Sequence, residues 1–495
     1  MRNVISLCLF VLLVLPFGSP LAGIINVPDD QATIQDGIDA ALTGDTVLIA
    51  NGTYSGDGNR DIDFGGKEIV VTSANGAEVT FVDCEGSYED PHRGFVFDSG
   101  EGPGSILHGL TILHTFADTG SGLYINSASP TVEACVFQRF DTLTDGFGEW
   151  GYSTFGGGAA CLNGSQATFI DCLFQFNLAQ AGAGLYITGG SDVVVENCDF
   201  SYNFTHDVAL ANSTGAIYIK ESSPTVTGCR FNGNEVHVIN FEIYGSPGIY
   251  SLSSNPVITS CVFTANAPSN FYLYGASGAV FAGGTATVEN CTFYHNYATG
   301  YPGYFGSCIF LNGADGFIRN NIFAFNEVLY GEQGPVIGWW AYNDTLHPVI
   351  ECNDFYDNDD GPWMGDHAIY WNNFGNVSVD PRFCDTAAVD LHPDTLSICS
   401  PDVNECGVLF GALPVDPTCD LPCCTAFRGN INCDPLDAVD IADISTLIDN
   451  QFLTLTPLCC QEEADLDENG TIDVTDLSIL IDSQFLTLRR LPACE

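Results

Sequence analysis

Between residues 134 and 358 one short pattern keeps returning, and a chain that repeats at a near-regular interval places its repeats in equivalent environments. Its members are Ala134-Cys135-Val136-Phe137, Asp171-Cys172-Leu173-Phe174, Asn197-Cys198-Asp199-Phe200 and Gly228-Cys229-Arg230-Phe231. Ser260-Cys261-Val262-Phe263 and Asn290-Cys291-Thr292-Phe293 continue it. Asn320-Asn321-Ile322-Phe323 and Cys352-Asn353-Asp354-Phe355 keep the frame with Asn in the Cys place, and Gly109-Leu110-Thr111-Ile112 is an earlier form. Three residues past most of these Phe stands an Asn: Asn177, Asn203, Asn234, Asn266, Asn296, Asn326 and Asn358. The interval is about 25 to 37 residues, the range of solenoid repeats.

Each interval carries two further β-prone runs. One begins with Gly, as in Gly122-Leu123-Tyr124-Ile125, Gly184-Leu185-Tyr186-Ile187, Gly215-Ala216-Ile217-Tyr218 and Gly248-Ile249-Tyr250. The other precedes the Cys, as in Pro130-Thr131-Val132, Pro224-Thr225-Val226, Pro256-Val257-Ile258 and Pro348-Val349-Ile350. Several short strands per interval, Gly and Asn at the corners and no helical period predict a parallel β-helix. Its coils would stack about 4.8 Å apart, and strand alternation turns the Cys and the Phe two residues later inward together. A buried ladder of thiols beside a stack of rings follows. Thiols in a dry interior lack the electropositive, partly exposed setting that activates Cys. The exchange with Asn321 and Asn353 asks for a small side chain, not for sulfur. The Asn column is expected to occupy a left-handed corner, its amides joining neighbouring coils.

At the N-terminus Arg2 precedes an apolar run from Val4 to Leu15, then Pro16, Gly18, Pro20 and Ala22. This reads as a signal peptide over residues 1–22, with cleavage near Ala22 or Gly23. The run is too short for a membrane span, which needs about 20 apolar residues. Cys8 lies inside the signal and no Cys follows near Ala22, so a lipid anchor is not expected. An exported protein without a membrane span is the expectation. With 12 Lys+Arg against 62 Asp+Glu the formal charge is -50. Such a charge repels nucleic-acid backbones and anionic lipid, and also anionic polysaccharide unless calcium bridges the two.

The repeats resemble the right-handed β-helix of the pectin-lyase-like superfamily, over roughly residues 24–415. The opening segment supports this: Ile25 to Asp30, Thr33 to Ala41, Gly44 to Ile49 and Gly52-Thr53-Tyr54 resemble that superfamily's N-terminal cap. Physically, Thr33 caps a short amphipathic helix whose Ile34, Ile38 and Ala41 face one way and close the open end of the stack. The far end is expected at Asp380 to Cys384, Cys399, Cys406 and Gly411-Ala412.

A Cys-rich linker, 416–427, leads into a segment of different character, 428–495. Asp440 to Asp449 and Asp473 to Asp482 are matched runs 33 residues apart. Before the second stands Asp465-Leu466-Asp467-Glu468-Asn469-Gly470-Thr471-Ile472. Asp465, Asp467, Asn469, Asp473 and Asp476 fall at positions 1, 3, 5, 9 and 12 of an EF-hand-like loop, with Gly470 at the sharp turn and the Thr471 carbonyl at position 7. Ca2+ suits such a set of hard oxygens. In the first loop, longer by two residues and without the Gly, the candidates are Asn430, Asn432, Asp434, Asp440 and Asp443. Each loop leads into a helix with an apolar face, Ile444, Leu447 and Ile448 or Leu477, Leu480 and Ile481. The pair resembles a dockerin, a small helical module, and that resemblance implies a cohesin-like partner. The Cys residues from Cys384 to Cys494 suit disulfides in an exported chain.

Between each Phe run and the next Gly run lie inserts rich in aromatics. Trp150, Tyr152, Tyr301, Tyr304, Trp339 and Trp340 are the candidates for stacking on sugar rings along one side of the solenoid. Polysaccharide engagement is the leading expectation, with catalysis left open. The alternatives are a polysaccharide lyase or glycoside hydrolase with an unrecognised active site, and a non-catalytic structural protein of the cell surface. Lyase chemistry needs a base beside calcium and hydrolase chemistry paired carboxylates. The coils offer Lys220, Arg230 and Arg319 outside any familiar motif, and His206 and His237, each six residues past a Phe, with Asp207 and Glu235 close by.

Overall fold

The computed structural model describes residues 22–494 apart from 139–152, 208–212, 239–243, 269–274, 301–307, 313–315, 331–334, 341–347, 359–372, 420, 422–427, 434–438, 454–457, 459 and 488–489. Residues 1–21, where a signal peptide is expected, and Asp434, Trp150, Tyr152, Tyr301 and Tyr304 therefore lie outside the described residues. Three parallel sheets form the solenoid. A Val sheet runs from Ile24–Val27 to Val349–Glu351, a Tyr sheet from Ile62–Asp63 to Ile337–Trp340, and a Phe sheet from Gly52–Ser55 to Asp354–Tyr356. Pairing is in register, so like lies on like: Val226 between Val195 and Ile258, Phe231 between Phe200 and Phe263.

The core follows from that register. Phe200, Phe231, Phe263 and Phe293 stack with centroids 5.0, 4.6 and 4.8 Å apart and planes within 6°. Where a Gly precedes the Tyr strand, as at Gly158 and Gly184, it makes room for these rings. A Cβ on Gly184 would lie 2.8 Å from the Phe200 ring, and one on Gly158 2.6 Å from Phe174.

The thiol ladder is buried as expected. Cys172 Sγ points at the carbonyls of Val132 (3.5 Å) and Ile170 (3.3 Å), and Cys229 Sγ at those of Val195 (3.6 Å) and Thr227 (3.4 Å). Where Asn321 takes the place, its Nδ2 donates to the equivalent carbonyl, Val288 O, at 3.1 Å, and its Oδ1 accepts from Cys291 N. Asn376, not singled out from sequence, adds a further rung by accepting from Asn353 N at 3.0 Å. Burial pushes the Cys135, Cys161 and Cys261 thiols far up, away from the reactive thiolate. In native protein the ladder from Cys135 to Cys291 should resist alkylation and react fully after denaturation, as read by mass spectrometry. Native labelling of these residues, or disulfides among them, would contradict the ladder.

The second Asn column differs from expectation in one respect. The left-handed residue is the one before the Asn, namely Phe176, Tyr202, Gly233, Ala265, His295, Phe325 and Asp357. The Asn itself turns inward and is buried. Asn203 Nδ2 donates to Phe174 O (2.8 Å) and Asn234 Oδ1 (3.0 Å), and the same links run from Asn177 to Asn358. A Ser ladder at another corner was not anticipated: Ser165, Ser191 and Ser222 N–H groups donate to the hydroxyls of Ser191, Ser222 and Ser254.

The inserts are partly ordered into a fourth sheet that includes Leu178–Ala181, Phe204–Asp207 and Glu235–Val238. It lies against the outward rings of the Tyr sheet, where Tyr186, Tyr218, Tyr250 and Phe281 stack at 4.9, 5.9 and 4.4 Å. Ala181 and Phe155 from the insert side join that apolar cluster. These inserts thus serve packing as well as whatever they expose.

Thr33 caps the helix Ile34–Ala40 through Asp36 N at 3.1 Å, with Ile34 and Ile38 buried, which closes the first coil. At the far end residues 377–413 fold back over the outer face of the Phe sheet. Val379, Phe383, Leu391, Ile398 and Phe410 pack there on Tyr294, Ile322 and Ala324. Disulfides Cys352–Cys406 and Cys384–Cys419 hold this flap. Cys399, expected among the paired cysteines, is a buried free thiol instead: it faces Asp354 Oδ2 at 3.8 Å.

Asp354 is fully buried under the flap and accepts from Val379 N at 3.0 Å. Burial holds its pKa well above the usual carboxylate range, and Asp380 adds to the effect. A raised folded-state pKa means the folded protein holds the proton more tightly. The group's contribution is complete below the unfolded value and is lost as pH rises through the folded one. Asp354→Asn keeps an acceptor for Val379, so it should melt higher than wild type at neutral pH. The two melting curves should converge as pH falls toward about 4. Equal shifts at every pH would contradict this.

Candidate metal centre

The acidic segment after residue 428 builds one small core, from Ile431, Ile444, Leu447, Ala464, Leu466 and Leu480. Two helices, Ile441–Ile448 and Val474–Ile481, pack through it, each continuing into a wider turn at Asp449–Leu453 or Asp482–Leu486. Asp440 and Asp473 open the helices in matched capping boxes, with Asp443 and Asp476 as the reciprocal partners. Cys433, Cys460 and Cys494 are disulfide-bonded here.

In the second loop Asp465, Asp467 and Asp476 bring carboxylate oxygens within 4.8 Å of one another. Backbone amides fix them. Asp476, fully buried, accepts from Leu466 N (2.7 Å), Asp467 N (3.2 Å) and Asp473 N (2.8 Å). Asp465 accepts from Asn469 N (3.1 Å) and Gly470 N (2.8 Å), and Asp467 from Asn469 N (3.2 Å). Gly470 takes the turn with φ 82°. Three anionic hard-oxygen donors held so close match what a divalent cation of the calcium type binds. Asp473, expected as a ligand, is not in this group: its carboxylate turns to Thr475 N at 2.6 Å, and bonds to Thr475 hold its pKa low. Asn469 Oδ1 is taken by Thr471, through its backbone N–H and its hydroxyl.

The first loop repeats the anchoring. Asp443, also fully buried, accepts from Asn432 N (3.0 Å) and Asp440 N (2.7 Å), and Asp440 accepts from Ala442 N. Asn430 is buried beside it. Among the described residues no trio of acidic, His or Cys ligands converges in this loop.

Two residues that sequence reasoning passed over tie the loops together. Glu463, buried, accepts from Gly429 N (2.7 Å) and Asn430 N (3.1 Å). The Arg428 guanidinium donates to the carbonyls of Glu462 (3.1 Å) and Asp465 (2.9 Å). A cation opening so acidic a segment was the available signal.

On the solenoid, Trp339 occupies an inward register position beside Leu311 and packs against the main core. Trp340 is the register partner of Asn312. His206 and His237 are register partners on adjacent insert strands. Lys220 pairs with Glu221 at 4.0 Å and Arg319 with Glu289 at 3.1 Å.

A family model described as a right handed beta helix region matches residues 152–380, ending short of the acidic segment. Together with the coil stack, this makes the body of the chain a right-handed parallel β-helix. No curated protein matches. Among solved structures the chain is similar to a pectin methylesterase from carrot, with 10% identity and TM-score 0.30, over 68% of this chain and 90% of that one. It is also similar to the PL6 family polysaccharide lyase Pedsa3628 from Pseudopedobacter saltans, at 14% identity and TM-score 0.30, over 69% and 88%. For the PL6 family alginate lyase AlyGC the values are 10% and 0.32, over 85% of this chain and 58% of that one. No helix among the described residues is long and apolar enough to cross a membrane.

Proposed function

We propose that the protein is exported, engages polysaccharide along its solenoid, and docks onto a cohesin-type partner through a calcium-ordered module of the dockerin kind. The observation that carries the docking half is the convergence of Asp465, Asp467 and Asp476 in one of two matched loop-helix segments. Exposed apolar residues at matched positions support a protein partner: Ile441 with Val474, Phe452 with Phe485, Leu453 with Leu486. Calcium titration calorimetry tests it. Wild type should take up the ion with release or uptake of heat that Asp465→Ala loses, and an inert wild type would refute the reading.

The polysaccharide half rests on the aromatic inserts, with Trp339 now assigned to packing. The lyase or hydrolase alternative draws no support from Lys220 or Arg319, both paired with acidic neighbours. On a glycan array the triple variant Tyr301→Ala, Tyr304→Ala, Trp340→Ala should bind more weakly than wild type and melt at the same temperature. Trp339→Ala should instead cost roughly 2 to 3 kcal/mol of stability, below the range for a completely buried Trp. The reverse pattern would exchange their roles.

A further inference from the structure

The left-handed corner after each Phe strand does not itself need a large side chain, since Gly233 and Ala265 fill it. Phe325 brings a ring to this corner, and the C-terminal flap covers it in the cluster of Tyr294 and Phe383. Phe176 and Tyr202 bring rings where the flap does not reach. They are 49% and 53% exposed, and they stack on each other at 5.4 Å and 8°. Large residues at positive φ are uncommon, and two apolar rings left in water forgo burial. Both costs fall at the same two coils, offset only in part by the stacking of the two rings and by Gly233, over which the Tyr202 ring lies.

Beside the ring pair lies the outer face of the Phe sheet. Over these coils one outward column reads Gln175, Ser201, Asn232 and the next contains Asp199 and Arg230, all at least partly exposed. From Val262 onward the flap closes the same face. What remains open is a strip of two amides, a hydroxyl, a carboxylate and the Arg230 guanidinium, with Leu173 at its edge, a stacked aromatic ledge along one side and the flap as a wall at one end.

The geometry points to this strip as a binding site for a neutral polysaccharide. Sugar C–H faces pack on the ledge, and sugar hydroxyls exchange hydrogen bonds with Gln175, Asp199 and Asn232. Charge chooses between occupants. A formal charge of -50 opposes a uronate chain, and equally a second copy of this protein. The assignment rests on polysaccharide engagement but places it on a different face from the insert aromatics.

Affinity electrophoresis of the full chain tests it, in gels holding mixed-linkage β-glucan, galactomannan, xylan, polygalacturonate or alginate. The double variant Phe176→Ala, Tyr202→Ala should fold normally, as Ala265 does at the same corner. Wild type should be retarded by at least one neutral polymer and not by the acidic ones, and the double variant should bind at least tenfold more weakly. If the double variant binds like wild type while the Tyr301, Tyr304, Trp340 triple variant does not, the strip is refuted and polysaccharide engagement stands. If no polymer retards wild type, both fall. Retardation by acidic polymers alone, a lower melting temperature of the double variant, or loss of a wild-type dimer in it would each overturn the assignment.

Discussion

Chelating calcium should remove one melting transition from this protein and leave another in place. Asp465, Asp467 and Asp476 stand within 4.8 Å of one another, and like charges that close repel strongly when one of them, Asp476, is fully buried. Among the described residues the core under them is a small cluster around Ile431, Leu447, Leu466 and Leu480, little for an independent unit of this size. An ion that binds the folded form alone adds about 2.7 kcal/mol when present at a hundred times its Kd. Calorimetry of the full chain with and without chelator should therefore show a calcium-sensitive transition from residues 428–494 and an insensitive one from the solenoid. The disulfides at Cys433, Cys460 and Cys494 limit how far the segment can open, so Asp465→Ala is the necessary companion. It should melt in calcium as wild type melts in chelator. Identical traces in all conditions would remove calcium from the account.

A second large effect is expected from the middle of the Asn column. Asn266 Oδ1 accepts from Asn234 N (3.1 Å) and Asn234 Nδ2 (3.0 Å), while its Nδ2 donates to Phe231 O and Asn296 Oδ1, both at 2.9 Å. All of these groups are buried. Asn266→Ala leaves several of them without partners at once, which should cost roughly 3 to 5 kcal/mol. Asn232→Ala, partly exposed on the same sheet, should cost under about 1 kcal/mol. Denaturant unfolding followed by circular dichroism distinguishes them, and equal losses would mean the ladder adds little beyond ordinary packing.

The rungs that sequence made legible are those that repeat at the strand period. Cys229 and Phe231 are two residues apart in every coil, so alternation fixes both as inward. The corner geometry was not legible, because Phe176 and Tyr202 are not residues that advertise a left-handed backbone. The Ser ladder escaped notice because hydroxyls such as Ser191 and Ser222 look like ordinary turn residues until their partners are known. The fourth sheet was hidden because insert strands like Phe204–Asp207 carry no regular alternation. In the acidic segment the loop spacing singled out Asp465, Asp467 and Asp476, whose carboxylates do converge. Asp473 caps the following helix instead of joining that trio, and a helix cap and a ligand ask for the same side chain. Glu463 and Arg428 act across 33 or more residues, a distance no local pattern reports.

The change from Cys to Asn along one column bears on how such a chain can lengthen. A thiol rung such as Cys229 closes a bond onto Thr227 within its own coil, and from its neighbours takes the Val195 carbonyl and thiol contacts with Cys198 and Cys261. An Asn rung such as Asn321 must receive from the coil below, Cys291 N, and give to the one above, Asn353 Oδ1. A duplicated coil set among the thiol rungs, carrying its own corner Asn, would join without orphaning any rung. The same duplication among Asn321, Asn353 and Asn376 would succeed only if it brought another Asn to that place. Both stretches can therefore change length by whole coils, a thiol coil needing one Asn to keep the corner column unbroken and an amide coil needing two.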